Sequence, residues 1–286
     1  MKLQKIIAVC VVGLLLSGIV FAEPVAMVTD VGGTVSTLEN GKVKKVELLS
    51  YLEPNMVLQL DSKSFLSVTF LSKPVEYRFS GPARLTVEQD KISTGDGKAE
   101  AHTISLQKTT AAKRFTVAQR ESVTQAAFEM RSIKRPGLRL TDPVDTSLID
   151  GNALAFSWDG PHSGGGYQLS LYENHTQLLY QTSVTSNSWT PTPGLLKAGN
   201  SYEWEVKSAL ENGEVLTARG NFSVADEDTA KSVQEQSPQV GNSFSDRVLY
   251  AVYLEENGFK YDARRLWKEL AKERPDDVVA RDHSIR

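Results

Sequence analysis

The residue types that most often carry chemistry are thinly spread along this chain. No histidine is followed at i+3 or i+4 by another histidine, aspartate or glutamate, the spacing at which a helix brings such side chains together; the four are His102, His162, His175 and His283. A metal site needs two to four converging ligands. We therefore expect isolated loop histidines and no metal centre.

Other catalytic signatures are equally weak. The glycine run at 164–166 lacks the Lys-Ser/Thr pair of a phosphate-binding loop, so a flexible hairpin loop explains it better. The chain has no G-x-S-x-G nucleophile motif, and its carboxylates are scattered through turns rather than paired as in glycosidases. The sequence predicts a protein that is not an enzyme and holds no cofactor.

The first 22 residues have the three parts of a secretory signal peptide. Two lysines form a positive start, an apolar run follows, and the run ends at Ala22, a small residue suited to cleavage. We predict cleavage between Ala22 and Glu23 and export of the rest; an uncleaved membrane anchor is the alternative. Cys10, the chain's single cysteine, lies inside this segment, so the exported part has no thiol.

Composition narrows the class of protein further. The formal net charge is −3, and removal of the two lysines of segment 1–22 lowers it to −5, which argues against a nucleic-acid binder. At about 100–200 residues per domain, a chain of 286 residues is expected to hold two domains or so. We expect neither nucleic acid as a partner nor a membrane-spanning segment in the exported chain.

Alternating apolar and polar residues predict strands from residue 25 to about residue 97. In LSVTF (66–70) the leucine, valine and phenylalanine are expected to face inward, with the serine and threonine on the other face. VEYRF (75–79) and RLTVE (84–88) repeat the pattern. Turn residues separate these segments, so residues 23–100 are predicted to form a small sandwich or barrel-like β domain.

Residues 23–100 resemble the periplasmic FecR-type domain. The resemblance is carried by VTDVGGTV (28–35), KVKKVELLSYLEPNMVLQL (42–60), SFLSVTF (64–70) and SGPARLTVE (80–88), with Asn55 where the family usually has glycine. It implies a β domain that takes part in periplasmic interaction or signalling. The family includes membrane-spanning regulators of sigma factors, but this chain shows no cytoplasmic anti-sigma segment, so that role is not implied.

Residues 101–137 break the β pattern and are interpreted as a connector. Apolar residues recur there at helical spacing, which favours an amphipathic helix, although KRFTVAQ (113–119) is also compatible with a strand. The segment is basic, which would suit contact with anionic lipid headgroups or glycan, but we favour the interpretation of a solvated interdomain linker.

Residues 138–225 resemble a fibronectin type III or related immunoglobulin-like sandwich. Trp158 comes early, and LLKAGNSYEWEV (195–206) supplies a late L-x-x-G-x-x-Y-x-W-x-V pattern. Such domains mostly serve as spacers and recognition modules. Trp189, in the turn-rich NSWTPTPG (187–194), is the aromatic residue most expected to be exposed; it would either pack at a sheet edge or stack on a sugar.

The polar stretch 226–243 is predicted to be a flexible linker, followed by a helical pair over 244–276 and a tail over 277–286. Ala263, Trp267 and Pro275 follow Gly258 at offsets of 5, 9 and 17, which resembles the second half of a tetratricopeptide repeat. In that repeat the alanine lets the helices approach, the aromatic residue fills the groove and the proline ends the helix. One repeat is too small to be stable alone. The pair is therefore expected to dock on its own protein, to dimerise, or to complete a partner's helical surface.

These patterns together predict a mainly β, multidomain chain: a FecR-like β domain, a connector, a fibronectin type III-like sandwich and a C-terminal α-helical hairpin. The predicted function is that of a non-enzymatic periplasmic protein that mediates protein–protein assembly, with an unknown envelope protein as partner or with self-association through the hairpin. The alternative is a module that binds cell-wall glycan through the sandwich.

Overall fold

The computed structural model describes residues 23–39, 41–73, 75–94, 100–103, 137–161, 166–174, 176–238 and 243–285. The predicted signal peptide (1–22) and most of the predicted connector (104–136) lie outside these ranges. Within them the chain is mainly β, with several antiparallel sheets and a helical C-terminal region. The predicted fold class, mainly β and multidomain with C-terminal helices, is confirmed.

Ten strands form the first β module: β1 Ala26–Gly32, β2 Val35–Glu39, β3 Lys42–Lys45, β4 Tyr51–Leu52, β5 Val57–Leu60, β6 Phe65–Phe70, β7 Val75–Ser80, β8 Ala83–Val87, β9 Ile92–Thr94 and β10 Glu100–Thr103. They build two five-stranded sheets, ordered β10-β7-β6-β1-β4 and β3-β2-β5-β8-β9. An apolar core that includes Val28, Leu58, Leu66, Val68 and Leu85 fills the space between the sheets. The module therefore runs to Thr103, three residues past the boundary predicted from the sequence.

Eight strands form the second β module: β11 Arg139–Asp142, β12 Thr146–Leu148, β13 Phe156–Asp159, β14 Tyr167–Glu173, β15 Gln177–Val184, β16 Ser188–Trp189, β17 Ser201–Ala209 and β18 Val215–Val224. They build a three-stranded sheet, β11-β13-β16, and a five-stranded sheet, β12-β18-β17-β14-β15. Trp158 and Trp204 lie fully buried in one apolar core with Leu169, Tyr202 and Phe222. The predicted sandwich core around the early tryptophan and the late Tyr-x-Trp strand is present in this module.

The central strands β1 and β6 of the first module are mostly buried on both faces of their sheet. Strand register places Asp30 opposite Ser67 and Ser67 opposite Arg78, so these side chains form one row across three strands. Met27, Thr69 and Glu76 form a second row on the same face. Ser67, Thr69 and Glu76 are all buried. The face that sequence alternation leaves polar is thus covered by other parts of the chain.

Four helices follow the second β module: α1 Glu227–Glu235, α2 Phe244–Glu256, α3 Lys260–Glu273 and α4 Val278–Ile285. Helices α2 and α3 form the predicted hairpin, and α4 packs against α3. The apolar residues of α2, α3 and α4 share one buried cluster with residues of the first β module. The helices therefore complete a core that begins in the first sheet.

The predictions of a flexible linker over 226–243 and of a tail over 277–286 are wrong where the structure has helices, at α1 and at α4. Residues 239–242 of the predicted linker lie outside the described ranges. The Asp226 side chain caps α1 by accepting a hydrogen bond from the Thr229 backbone N–H at 2.7 Å. Val233 anchors α1 through its buried side chain and through its carbonyl, which accepts a hydrogen bond from the Tyr250 hydroxyl. In α4, Asp277 accepts from the Ala280 N–H, and Ala280 is fully buried. With one buried residue in α1 and two in α4, each helix gives a weak periodic signal, which explains why the sequence pattern missed both.

Candidate functional site at the hairpin junction

The hairpin α2–α3 lies against both β modules, and we call these two contact surfaces together the junction. On the side of the first module, helix α2 lies over β1. Met27, Leu48 and Leu71 of that module share a buried apolar cluster with residues such as Val248 and Ala251 of α2. This apolar contact removes the hairpin's main packing face from solvent.

Two polar contacts accompany the apolar contact with the first module. The Ser245 hydroxyl donates to Glu76 Oε1 at 2.6 Å, and both side chains are buried. Arg274 Nη2, at the end of α3, lies 3.4 Å from Asp30 Oδ2, and Arg78 Nη2 approaches the same oxygen at 3.3 Å. Each of the two polar rows on the covered face of the sheet therefore contacts a polar side chain of the helical region: the row of Glu76 contacts Ser245, and the row of Asp30 contacts Arg274.

Asp30 is a carboxylate buried within the junction. Its side chain is 1% exposed, and its Oδ1 has no hydrogen-bond partner among the described residues. Burial raises the pKa of Asp30 above its ordinary value, and the nearby Arg274 and Arg78 guanidinium groups offset part of that rise. Arg274 also lies over the Phe244 ring, 4.6 Å from its centroid. Arg274 thus joins a charge contact and a ring contact at one point of the junction.

The start of α3 makes the backbone contacts with the second β module. The Gly258 carbonyl, in the turn before α3, accepts from the Ser147 N–H at 2.9 Å and from the Thr146 hydroxyl at 3.2 Å. The Tyr261 hydroxyl accepts from the Ala155 N–H at 3.0 Å and donates to a neighbouring carbonyl at 3.3 Å. The hairpin therefore continues the hydrogen bonding of strand β12, which is the edge of its sheet.

Charged residues of α3 complete this second contact. Asp262 Oδ2 accepts from the Ile149 N–H at 3.0 Å, and Arg264 forms an ion pair with Asp142. Burial raises the pKa of Asp262, and the hydrogen bond from the Ile149 N–H offsets part of that rise. Burial also lowers the pKa of Arg264. Helix α3 thus binds the second module through both of its first two turns.

The residues of the tetratricopeptide-like motif lie inside or beside the junction. Gly258 has a φ of 85°, a value that suits glycine, and it joins the two helices. Ala263 and Trp267 are fully buried, with the Trp267 ring 4.7 Å from the His283 ring. Pro275 is exposed and follows directly after α3 and its capping residue Arg274. The structure brings Ala263 and Trp267 together as packing residues of the hairpin, and Gly258 forms its connecting turn.

Trp189 lies away from the junction, on the edge strand β16. It is half-buried, stacks on Tyr180 at a centroid distance of 5.1 Å, and contacts Phe156 at 5.2 Å. Tyr180 belongs to β15 and is 37% exposed. The two rings close one side of the sandwich between its two sheets, and Tyr180 leaves part of the pair open to solvent.

Two concave surfaces lie on the first β module. A cavity of about 740 Å³ separates the β1–β2 turn and residues 45–48 from the turn between α3 and α4. It mixes basic and acidic side chains, among them Lys45, Glu47, Arg274 and Asp277. A groove of about 600 Å³ lies beside the β2–β3 hairpin, and its lining mixes apolar residues such as Leu38 and Val43 with polar ones such as Gln59 and Arg84. Neither surface gathers the acid, base and nucleophile groups of a hydrolytic site.

The expectation of isolated loop histidines is wrong for His283. It lies in α4, and its Nδ1 is 2.9 Å from Glu255 Oε1 of α2, which makes it a packing residue of the helices. Within the described ranges, no group of three or more His, Cys, Asp or Glu side chains is arranged to hold a metal ion. Across the same part of the chain, no helix combines the length and the apolar character needed to cross a membrane.

Comparisons with known proteins add little beyond this geometry. No protein-family model matches the chain, and no curated protein matches it. One solved structure that it resembles is CopC from Methylosinus trichosporium OB3b, at 11% sequence identity and a TM-score of 0.26. That match covers 32% of this chain and 96% of CopC. At this level of similarity the match identifies no family for the chain.

Sequence reasoning found the hairpin's internal packing residues but missed the groups that attach it to the β modules. Gly258, Ala263 and Trp267 follow one another at fixed spacings, so a local pattern finds them. Asp30 and Arg274 are 244 residues apart, and Glu76 and Ser245 are 169 apart. The one available signal was the cluster of polar residues in strands β6 and β7, which reads equally well as a solvent-exposed face.

Proposed function

We propose that this protein is a non-enzymatic protein, exported to the periplasm of a bacterium, that takes part in protein–protein assembly in the cell envelope. Its β modules act as the recognition surfaces, and the hairpin acts as an internal brace between them. The observation that carries the proposal is the junction, where one helical hairpin buries residues against both modules. The role in envelope interaction or signalling rests on the FecR-type resemblance of residues 23–100, and the location rests on segment 1–22.

The brace changes where a partner is expected to bind. Trp267 and Ala263, which would form a helical recognition groove, are fully buried within this chain. By contrast, Leu38 and Val43 face each other across β2 and β3 and are 69% and 73% exposed. Exposed aliphatic residues beside a groove of mixed polar and apolar lining are typical of surfaces that bind another macromolecule. We therefore place the partner on the β modules, with the β2–β3 hairpin as the first candidate.

Site-specific photo-crosslinking in intact cells tests this placement. A photoreactive residue is introduced into the full chain at Val43 of the first module, at Val215 of the second, and at Lys268 of the hairpin, all of which are exposed. We expect a defined envelope protein to be crosslinked from Val43 or Val215 and not from Lys268. Crosslinking from Lys268 alone would show that the hairpin is the recognition surface, and it would overturn the brace.

Export has its own test, independent of the partner. Cell fractionation should recover the chain from the periplasm, and N-terminal sequencing should begin at Glu23. Recovery of the chain in the membrane fraction, with residues 1–22 still present at its N-terminus, would instead support the membrane-anchor alternative.

The stacked pair of Tyr180 and Trp189 favours a second candidate function, the binding of cell-wall glycan. Aromatic rings that are partly open to solvent can stack on sugar rings, and Tyr180 is the more exposed of the two. Co-sedimentation of the full chain with purified cell wall tests this. Tyr180→Ala should abolish sedimentation if the pair is the site, whereas Leu178→Ala, at an exposed aliphatic neighbour, should leave it unchanged. Absence of sedimentation by the parent chain would rule out the glycan function.

A further inference from the structure

The four sheets of the described chain have eight edge strands, and seven of them resist pairing with another chain. Natural sheets protect their edges with short strands, charged side chains or a covering segment. The seven are two to four residues long, and several carry lysines or other charged residues or are covered by the hairpin: β3, β4, β9, β10, β11, β12 and β16. The lysines of β3 and the hairpin contact on β12 are the clearest examples.

Strand β15 has none of these three protections, and a β-bulge near its start is the one protective feature of this edge. It is eight residues long, and its sequence QLLYQTSV has no charged residue and no proline. Its register with β14 skips one residue at Leu179, and from Tyr180 to Val184 the pairing is regular. No other described strand pairs with its outer side. β15 is therefore the one long, neutral sheet edge among the described residues.

The side chains beside this edge are also open. Leu178 is 52% exposed and Tyr180 is 37% exposed, and they lie on opposite faces of the sheet because their partners on β14 are adjacent residues. A strand added to the edge would cover aliphatic and aromatic surface on both faces. Burial of this apolar surface would stabilise the paired strands in addition to the hydrogen bonds that pairing would form.

We propose that β15 is a self-association edge, at which two copies of this chain pair in antiparallel fashion and join their five-stranded sheets into one sheet. A two-fold axis places a strand against its own copy, so a charge near the axis lies close to the same charge on the other copy. The neutral β15 carries no such repulsion, whereas three lysines on β3 would oppose three lysines. This charge pattern favours a second copy over an oppositely charged partner strand.

Charge substitution at Ser183 provides the test. With the two-fold axis at Thr182, the middle of the regular segment, the two copies of residue 183 lie about 7 Å apart along the paired strands. Ser183 is exposed. Ser183→Lys and Ser183→Glu should each weaken dimerisation of the full chain about tenfold or more in analytical ultracentrifugation. A 1:1 mixture of the two variants should recover the dimer, because opposite charges then meet.

Asn221→Lys is the matched control, since Asn221 is exposed on β18 in the interior of the same sheet and lies opposite Glu203. It should dimerise like the parent chain. A monomeric parent chain, dimers that are insensitive to the Ser183 substitutions, or failure of the mixture to recover the dimer would each overturn the proposal. The inference goes beyond the proposed function and does not depend on it, because crosslinking of an envelope partner from Val43 or Val215 requires no dimer.

Discussion

Replacing Arg274 with methionine removes one of the two guanidinium groups beside the buried Asp30 carboxylate and keeps an unbranched apolar side chain near the Phe244 ring. The Arg274–Asp30 contact is 3.4 Å long, and Arg78 approaches the same oxygen at 3.3 Å. At an effective dielectric constant of 20, each contact is worth about 5 kcal/mol before desolvation. Loss of a sole partner from a buried pair costs about 3–5 kcal/mol. Because Arg78 stays and Arg274 is 33% exposed, we expect Arg274→Met to lower the free energy of unfolding by about 1–2 kcal/mol at pH 7.

The pH dependence of this loss follows from the pKa of Asp30. Burial raises the pKa of Asp30 in the folded chain, so its contribution to the free energy of unfolding falls as pH rises from the ordinary aspartate value through the raised one. Arg274 lowers the pKa of Asp30, so removal of Arg274 raises the upper limit of the pH range over which this contribution falls. The destabilisation caused by Arg274→Met should be smallest where Asp30 is protonated in both proteins. It should grow with pH and become constant once Asp30 is ionised in the folded variant.

Urea unfolding at a series of pH values, followed by helical circular dichroism, measures this difference. Arg281→Met serves as the control, because Arg281 is exposed on α4, and it should change stability by no more than about 0.5 kcal/mol. The reasoning would be refuted if Arg274→Met cost the same at every pH, or if its cost at neutral pH were as small as that of the control.

Substitutions at three further positions test the hairpin. Trp267→Ala should lower the free energy of unfolding by about 3–5 kcal/mol, because Trp267 is fully buried, and Trp267→Phe should cost clearly less in the same denaturant titration. Tyr261→Phe should cost about 1 kcal/mol in thermal unfolding, because the lost hydroxyl bridges two backbone groups that lie near solvent. Gly258→Ala should cost about 1–2 kcal/mol by backbone strain alone, because φ is 85° and no atom lies within 4 Å of the added Cβ. An unchanged melting temperature for Gly258→Ala would contradict that geometry.

Local periodicity in the sequence was enough to predict the sandwich cores and the hairpin. Leu66, Val68 and Phe70 alternate along β6, and all three lie in the core of the first module. Trp158 and Trp204 were found because a buried aromatic residue leaves a clear mark on an alternating strand. In these cases each residue's neighbours along the chain determine which face it occupies, so no knowledge of distant contacts was needed.

The junction could not be predicted in this way, because alternation does not distinguish a solvent-exposed polar face from one covered by polar partners. Ser67 and Thr69 were placed opposite the apolar face, yet both are buried under the helices. Their burial becomes evident only from the contacts of neighbouring residues with the helical region, in which Asp30 pairs with Arg274 and Glu76 pairs with Ser245. Helix α1 was not predicted for a related reason: Val233 is its one buried residue, so the sequence shows little apolar periodicity there.

The junction also explains how a single helical repeat can be stable in this chain. An isolated repeat lacks neighbours to cover its packing face, and here β1 covers α2 while β12 and the segment after it contact α3. The hairpin uses its packing face and the backbone groups of its connecting turn for this purpose. A partner that needed the same groove would have to displace the first β module and expose Met27, Leu48 and Leu71. Assembly through the β modules carries no such cost, which is why the exposed β2–β3 hairpin and the free edge of β15 are the surfaces on which binding is expected.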